Sequence, residues 1–569
     1  MIGTAFLAIS SLLLEYGFYL GADVKGLLHR LDILIAGIFS AEVFLKLVLT
    51  RDRKSFLTSN WADFIIVIVF LALLLLLKTF SLSPGFARFL KIPKPAPLGN
   101  IYIVVCQIYI AASLFLKITY LNRVVANIRL SPPWIVILTF VSIIALGTLL
   151  LSLPKSTAPG KETTFLNALF TATSATCVTG LTVVDTGSHF SLMGQIIILC
   201  LVQIGGLGLM TFTSFFALIL GREFGIKDRV LLRDIFDYTS PGMVTRLILS
   251  ILGITFLIET IGAFLLYIQF LPQIGDSSFC LYSAIFHSIS AFCNAGFSLY
   301  QDSFTKYEAH LGINLTMASL IIMGGLGFTV LINLLHWRPS RFKRKGKSLT
   351  VQSKLVLIVT SLLIGIGALF LLIGERDGVL KDLPLERRLL GAFFQSITAR
   401  TAGFNTLNIA NLTNFSAFLL IILMFIGASP GSTGGGVKTS TFAILLLTIN
   451  SMARGKSRVE IFKRTIPQIV IYQALCVAIL ALGWISISTL LLSLTENAPF
   501  INILFEEFSA FGTVGLSRGI TPHLTSVGKI VIILTMLVGR IGPLTLALAI
   551  GGRKVSEPYK YPEEKIMIG

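Results

Sequence analysis

Charged residues are scarce in this sequence. Only 13% of its 569 residues are Asp, Glu, Lys or Arg, whereas globular proteins carry about 25%. Hydrophobic residues make up 54% of the chain, and its mean hydropathy is +0.87. This balance excludes a water-soluble globular protein and indicates a polytopic protein of the lipid bilayer.

Cysteine and histidine are also few, with six of each. The cysteines form no C-x-x-C pair and lie mostly in apolar stretches, so we expect neither a disulfide framework nor a zinc site. His189 and His287 lack partners at metal-ligand spacing, and we expect hydrogen bonding rather than metal ligation from each. No H-E-x-x-H or G-x-S-x-G occurs, and the sequence predicts neither an enzyme nor a bound cofactor.

Acidic residues are outnumbered by basic ones, 27 against 46, which gives a net charge of +19. The basic residues cluster in short connectors at 221–246, 336–354 and 450–464, whereas 271–283 and 494–507 contain none. Such clustering between apolar runs is typical of cytoplasmic loops and not of a nucleic-acid-binding surface. The positive-inside rule therefore predicts a multi-pass protein of the plasma (inner) membrane with a cytoplasmic C-terminus.

Four segments share one pattern, in which Phe is followed ten residues later by Gly. They are Phe170–Gly180, Phe286–Gly296, Phe393–Gly403 and Phe505–Gly515. A small residue lies five positions before each glycine: Ala175, Ala291, Thr398 and Ala510. Ten helical residues span about 15 Å, half of the hydrocarbon core of a bilayer. Each segment therefore predicts a half-helix that enters the membrane and turns back.

Each half-helix is flanked by two longer apolar runs, called M1 and M2, which predict crossing helices. M1 is predicted near 134–153, 246–270, 355–373 and 466–492, and M2 near 192–220, 313–335, 416–449 and 527–551. The predicted domains are an N-terminal domain at 1–130, repeats at 131–222, 243–338, 352–450 and 465–553, and a cytoplasmic tail at 554–569. The predicted fold is an all-α polytopic membrane protein with four M1–P-loop–M2 repeats around a central pore, plus an N-terminal four-helix bundle.

The half-helices would point their partially negative C-terminal ends at a common axis. Glycine there tolerates a positive φ and lets carbonyl oxygens replace the water around an ion. The loops supply no ring of carboxylates, so we expect a desolvated monovalent cation at the filter glycines. The expected ion-binding residues are Thr179, Gly180, Ala295, Gly296, Ala402, Gly403, Val514 and Gly515. For nearby Asp185 we expect a turn cap, with attraction of cations as the alternative.

The loop sequences TCVTGL, SAFCNAGF, TARTAGFN and SAFGTVGL resemble those of the Trk/Ktr/HKT superfamily of potassium transporters, and the tail YPEEKIMIG resembles the Ktr-type membrane subunit. This resemblance covers Trp134–Gly569, about three quarters of the chain. It implies potassium uptake through a channel-like filter, in which Gly180 accompanies selectivity for K⁺ over Na⁺. It also implies a homodimer on a cytosolic nucleotide-binding (RCK-type) regulatory ring, with Na⁺ as a candidate modulator.

The third M2 is interrupted by Ile426–Phe442, whose five glycines and one proline cannot hold a continuous helix. The resemblance implies an intramembrane gating loop, and an inert kink is the alternative. A phosphate-binding loop does not fit, because Val437 separates Gly436 from Lys438 and no strand precedes the segment. The expected gating residues are Gly431, Gly434, Gly435, Gly436, Lys438 and Arg540.

Arg540 is the one basic residue deep within the fourth M2. A charge in a membrane is costly unless it faces a partner or a water-filled path. The resemblance implies a pore arginine that lies below the filter and opposes the gating loop. Pairing with Glu259 is the structural alternative.

The N-terminal domain carries Glu42, Lys46 and Asp63 in apolar runs, a pattern that resembles the second and third helices of a voltage sensor. Its later basic residues occur every six positions, whereas a working sensor helix has them every three. They are Lys117, Arg123 and Arg129. A structural bundle is the alternative. For the whole chain, the alternatives to potassium uptake are a voltage-gated cation channel and a non-conducting membrane sensor.

Overall fold

The computed structural model describes residues 18–50, 132–220, 241–337, 349–551 and 564, with scattered residues between 7 and 17. Asp63 and the basic residues between 117 and 129 lie outside these ranges, as do most of the basic connectors and of the tail. The predictions of a voltage sensor and of membrane orientation therefore stay predictions. The chain divides into two compact units, residues 1–130 with 153–159 and residues 131–152 with 160–569.

In the first unit, helix α1 spans Ala22–Leu49, ten residues longer at its start than the apolar run near 32–50 that predicts it. Asp32, at the start of that run, is buried and accepts a hydrogen bond of 2.5 Å from the Ser11 hydroxyl. A second contact within the unit joins Lys155 Nζ to the Glu15 carbonyl oxygen at 2.6 Å. The hydrogen bond from Ser11 thus allows the carboxylate of Asp32 to lie buried in an otherwise apolar helix.

In the second unit, each repeat has a long first helix. These M1 helices are α2 (Pro132–Leu151), α6 (Pro241–Ile274), α10 (Val351–Gly374) and α14 (Gln468–Thr495). Their bounds lie within five residues of the predicted ones. Within the described ranges, four helices are long and apolar enough to cross a membrane, or up to six if each bent pair described below is one span.

The half-helices are α3 (Phe165–Thr176), α7 (Ser277–Phe292), α11 (Leu385–Thr398) and α15 (Phe500–Gly512). They have 12 to 16 residues, or about 18 to 24 Å, and so remain too short to cross a bilayer. The short helix α4 (Thr186–His189) follows the first half-helix. Single 3₁₀ turns occur at Pro154–Ser156, Thr305–Tyr307, Ile409–Asn411 and Thr521–His523.

The third half-helix is one residue out of the register that the sequence pattern predicts. Before the other three glycines, the backbone N–H of the preceding residue bonds to a carbonyl five residues back, whereas Ala402 N bonds to Thr398 O, four residues back. The hydrogen-bonded turn that leads into Gly403 is therefore one residue shorter than its three counterparts. Phe394 is buried and Phe393 is 39% exposed, and the counterpart of Ala175 is Ala399 and not Thr398.

The second helices are continuous only in repeat 1 among the described residues, where α5 spans Leu192–Leu220. In repeat 2, α8 (Leu311–Leu326) and α9 (Phe328–Leu335) meet at 102°, and in repeat 4, α16 (Ser526–Ile541) and α17 (Pro543–Ile550) meet at 94°. The expectation of a continuous M2 in repeats 2 and 4 was wrong. The breaks fall at Gly327 and Gly542, both with positive φ, and the second is followed by proline, which has no N–H to continue the helix.

In repeat 3, α12 (Asn414–Phe425) and α13 (Thr439–Ala453) flank residues 426–438, which form no helix, as the sequence predicts. An unpredicted hairpin follows, in which β1 (Glu460–Ile461) pairs antiparallel with β2 (Arg464–Thr465). Its two central residues, Phe462 and Lys463, both have positive φ, as a tight two-residue hairpin requires.

Candidate functional site

The four loop glycines adopt the same backbone conformation. Gly180, Gly296, Gly403 and Gly515 have φ of 91°, 70°, 78° and 93°. Two residues before each of them, a non-glycine residue also has positive φ: Val178, Asn294, Thr401 and Thr513. Such residues are rare outside glycine, and their recurrence at one position in four loops marks a repeated, deliberately shaped turn.

The glycines close into a ring in which each loop touches the next. A Cβ atom on Gly180 would lie 2.5 Å from the carbonyl oxygen of Ala295, and one on Gly403 would lie 2.5 Å from that of Val514. The remaining two contacts are of the same kind: Gly296 faces the Ala402 oxygen, and Gly515 faces the Thr179 oxygen. The eight residues that the sequence singles out thus meet around one axis, in repeat order, and no side chain larger than hydrogen fits at the glycines.

All four half-helices end three to five residues before this ring, so their partially negative ends converge on it. Hydrogen bonds behind the loops fix two of the glycines. Ser174 Oγ accepts from Gly180 N, and Ser509 Oγ accepts from Gly515 N, each at 3.1 Å. The loop amides are thereby satisfied by their own half-helices on the side away from the neighbouring loop.

A cavity of about 720 Å³ opens on one side of the ring and is lined by all four glycines. Its lining includes three carboxylate residues, Asp185, Asp302 and Glu308, and, in the part of the chain that the structure describes, no Lys or Arg. Asp185 also caps α4, because its Oδ2 accepts from Ser188 N at 2.8 Å. The predicted cap and the alternative, a charge at the mouth, therefore coexist.

Both singled-out histidines make hydrogen bonds, as the sequence predicts. His189 Nε2 lies 2.9 Å from Thr163 Oγ1, and His287 Nδ1 lies 2.8 Å from the Ser283 carbonyl oxygen. Burial, together with nearby Lys161, lowers the pKa of His189 below its ordinary value, so its ring is neutral near neutral pH. It adds no positive charge to the acidic mouth of the cavity.

Residues 426–438, here called the M2 loop of repeat 3, lie on the opposite side of the ring. The cavity is lined by residues that follow the glycines, whereas this loop contacts residues that precede them. Gly435 N donates to Thr513 Oγ1 at 3.0 Å, and Thr433 Oγ1 donates to the Phe292 carbonyl at 3.3 Å. A Cβ on Gly436 would lie 3.2 Å from Gly512 Cα. The loop is buried directly beneath the ring.

Backbone hydrogen bonds tie the same loop to the broken M2 helices. Ser429 N donates to Gly325 O at 3.0 Å, and Phe328 N donates to Gly431 O at 2.9 Å, across the break between α8 and α9. Lys438 Nζ folds back to the Gly434 carbonyl at 2.6 Å. The segment is therefore an ordered, hydrogen-bonded non-helical insertion, and it accounts for the break at Gly327.

Arg540 is 2% exposed and bridges two repeats. Its guanidinium donates to the carbonyl oxygen of Thr433 in the M2 loop of repeat 3 and, at 2.5 Å, to that of Gly205 in α5. Glu259 instead accepts from Gln203 Nε2 at 3.0 Å. The alternative of an Arg540–Glu259 pair is thus not what the structure contains, because the arginine donates to backbone carbonyls of a glycine in α5 and of the M2 loop of repeat 3.

Sequence reasoning missed two buried acidic residues, Glu506 and Glu507, in the fourth half-helix. Glu506 hydrogen-bonds to Ser517 and Thr521, and Glu507 to Ser488 and Thr535. The sequence alone could have revealed them, since two consecutive acidic residues inside an apolar membrane segment are costly unless each has hydrogen-bond partners.

Residues 110–554 match the family model described as TrkH, cation transport protein. The chain belongs to this family. The TrkH-family match spans all four repeats and confirms the resemblance drawn from the loop sequences, while the first 109 residues lie outside it.

Individual relatives agree with this membership. Ktr system potassium uptake protein B of Bacillus subtilis is 40% identical over 450 residues, which cover 79% of this chain and 99% of the relative. Potassium/sodium uptake protein NtpJ of Enterococcus hirae is 40% identical over 448 residues, covering 78% and 98% of the two chains. These relatives are named as ion uptake proteins, and the TrkH-family chain is a multi-pass membrane protein like them.

The crystal structure of the potassium transporter TrkH from Vibrio parahaemolyticus superposes with a TM-score of 0.59 at 18% identity, over 96% of this chain and 98% of that one. At this identity the likeness concerns the fold. It confirms the all-α architecture with four repeats around a central pore.

Proposed function

We propose that the chain carries potassium across the membrane through the ring of four glycine loops, which acts as its selectivity filter. The observation that supports this most is the ring itself, in which the carbonyl oxygens of Thr179, Ala295, Ala402 and Val514 each lie against the glycine of the adjacent loop. Backbone carbonyls can replace the hydration shell of a monovalent cation, whereas a carboxylate ring would suit a divalent one. K⁺ binds at these residues and at the four glycines.

The charges around the ring also favour a path for cations. Asp185 and Asp302 in the cavity lining raise the local cation concentration, whereas Glu308 is paired with Arg387 at 3.8 Å. Four helix C-termini stabilise a cation that has lost its water. Membership of a cation transport family and the names of the uptake relatives support the ion class. The resemblance of the first loop, in which Gly180 accompanies selectivity for K⁺, supports K⁺ over Na⁺.

The M2 loop of repeat 3 is the gate in this proposal. It lies beneath the ring, and Gly431, Gly434, Gly435, Gly436 and Lys438 supply its flexible backbone and its internal lysine contact. Arg540 holds the loop against α5 through the Thr433 carbonyl and adds a positive charge beside the path. Opening requires the loop to leave this position.

The proposed assembly is a homodimer with one pore per chain, in the plasma membrane, with a cytoplasmic C-terminus. A cytosolic nucleotide-binding (RCK-type) ring would regulate the gate, with Na⁺ as a modulator. The resemblance to Ktr-type subunits and the basic connectors support these points. No cofactor within this chain is proposed.

Ion flux measured with the purified full-length chain in liposomes tests the function. We expect K⁺ flux driven by an imposed potential, a smaller Na⁺ flux, and neither in protein-free vesicles. A folded protein that leaves both fluxes at the level of empty vesicles would favour the non-conducting sensor.

Removing residues 431–436 should raise basal K⁺ flux, because it removes the segment beneath the ring together with the carbonyl that Arg540 holds. Thr433→Val is the matched control. This variant loses the hydroxyl contacts to Phe292 O and Gly324 O but keeps the backbone of the M2 loop of repeat 3, so its flux should change little. Flux per folded molecule is the readout, and a well-folded deletion that conducts less would indicate a structural role.

The N-terminal domain should be dispensable for conduction. The family model begins at residue 110, and 79% of this chain covers 99% of the B. subtilis relative, which is named as a potassium uptake protein. A chain beginning near Arg129 should conduct K⁺ with unchanged voltage dependence in patch recordings. A voltage response that disappears with this domain would support the voltage-gated alternative.

A further inference from the structure

Glu506 lies nine residues before Gly515, and its side chain is fully buried. Its carboxylate accepts hydrogen bonds from the hydroxyls of Thr521 and, at 3.0 Å, Ser517. Both partners follow Gly515, on the limb of the fourth loop that leads out along the cavity. Glu506 therefore ties the half-helix to the outgoing limb from behind the ring.

His287 lies nine residues before Gly296 and makes the corresponding contacts in repeat 2. Its Nδ1 is 2.8 Å from the Ser283 carbonyl oxygen, which can only accept, so Nδ1 carries the proton. Nε2 is then an acceptor, and it receives Leu299 N at 3.2 Å and lies 3.2 Å from Ser298 Oγ. Ser298 and Leu299 are the second and third residues after the glycine, and Ser298 corresponds to Ser517, which contacts Glu506 in repeat 4.

The other two loops lack this tie. Thr171 occupies the position in repeat 1, and its hydroxyl bonds to Asn167 O of its own helix at 2.9 Å. With the turn before Gly403 one residue shorter, the counterpart in repeat 3 is Gln395, whose buried amide atoms have no hydrogen-bond partner among the described residues. Because the ring runs in repeat order, the two tied loops are diagonally opposite.

We propose that Glu506 and His287 are positioning residues that hold the fourth and second glycine loops from behind and thereby set the ion selectivity of the path. This inference rests on the proposed function of the ring. A carbonyl ring discriminates between cations through the positions of its oxygens, and each oxygen lies between the half-helix and the outgoing limb. An acceptor that joins those two segments fixes the oxygen between them.

Glu506→Gln tests the proposal in the full-length chain in liposomes. Glutamine keeps the size of the side chain but has one acceptor oxygen where glutamate has two, so the hydroxyl of Ser517 or Thr521 must turn to accept from the amide, and the geometry that holds the limb changes. We expect the ratio of K⁺ to Na⁺ flux to fall about fivefold, the factor that corresponds to one ordinary hydrogen bond. The half-saturating K⁺ concentration should rise with it.

Glu507→Gln is the matched control. Glu507 is equally buried, but its carboxylate accepts from Ser488 in α14 and from Thr535 in α16, at 2.9 Å for the latter. The equivalent Ser288 and Ser396 likewise donate to carbonyls of their own M1 helices, at 2.7 and 2.8 Å. This position faces crossing helices and not the loop, so Glu507→Gln should leave the flux ratio unchanged.

If Glu506→Gln fails to fold, Ser517→Ala tests the same contact from the side of the loop. It removes one donor from a half-buried residue of the limb and leaves the buried carboxylate with its other partners. We expect a shift of the flux ratio in the same direction, and, where both fold, a double variant no worse than Glu506→Gln alone.

An unchanged ratio in the folded variants, while Gly180→Ser lowers it, would overturn the positioning role and leave the filter intact. An unchanged ratio in Gly180→Ser as well would overturn the filter itself, and the positioning role with it.

Discussion

Arg540→Ala is expected to raise K⁺ flux per folded molecule by up to about thirtyfold. At an effective dielectric of about 20, a unit charge about 8 Å from the path contributes roughly 2 kcal/mol to the barrier for a cation. Such a change in barrier corresponds to about a thirtyfold change in rate, which ionic screening reduces. The substitution also frees the Thr433 carbonyl, so the loss of charge and the release of the gate act in the same direction.

Two further variants separate these contributions. Arg540→Lys keeps the charge and should stay near wild type if the barrier is electrostatic. Arg540→Gln keeps a donor without the charge and should stay near wild type if the hydrogen bonds to Thr433 and Gly205 hold the gate closed. Normal flux per folded molecule combined with poor folding of Arg540→Ala would contradict both roles and leave a purely structural arginine.

Gly180→Ser is expected to lower the ratio of K⁺ to Na⁺ flux. At φ of 91°, any L-residue is strained, by about 1–2 kcal/mol in the left-handed region, and the new Cβ would lie 2.5 Å from the Ala295 carbonyl oxygen. The loop must shift to admit it, which moves an oxygen of the ring on which discrimination depends.

Gly275→Ser is the matched control for this substitution. Gly275 also has a positive φ, of 79°, but lies outside the loops, and a Cβ there would meet nothing within 4 Å. It should therefore carry a similar backbone strain and leave the flux ratio unchanged. Equal ratios in Gly180→Ser and wild type, with both proteins folded, would remove the first loop from the filter.

The register of the third loop illustrates where sequence patterns stop. When the four loops are aligned at their glycines, Phe393 and Thr398 fall at the positions of Phe170 and Ala175 in the first loop. In the structure, Phe394 and Ala399 occupy those positions. The reason is that the hydrogen bond before the third glycine spans four residues, whereas it spans five in the other loops. A one-residue change in the length of this turn leaves the local pattern intact and is visible only in the hydrogen bonds.

The sequence by itself determined the membrane class, the four repeats and the bounds of the M1 helices to within five residues, because long apolar runs and a recurrent glycine motif are local signals. It also singled out the loop glycines and an interruption of the third M2 at 426–442, of which the structure leaves 426–438 non-helical.

Only the tertiary structure determined which groups these helices and loops contact. It chose backbone carbonyls over Glu259 as the partners of Arg540, bent the second and fourth M2 helices at Gly327 and Gly542, and turned Glu506 toward the loop and Glu507 toward the crossing helices. The physical reason is that a buried polar group is satisfied by whatever donor or acceptor the packing of distant repeats supplies, which no local pattern specifies.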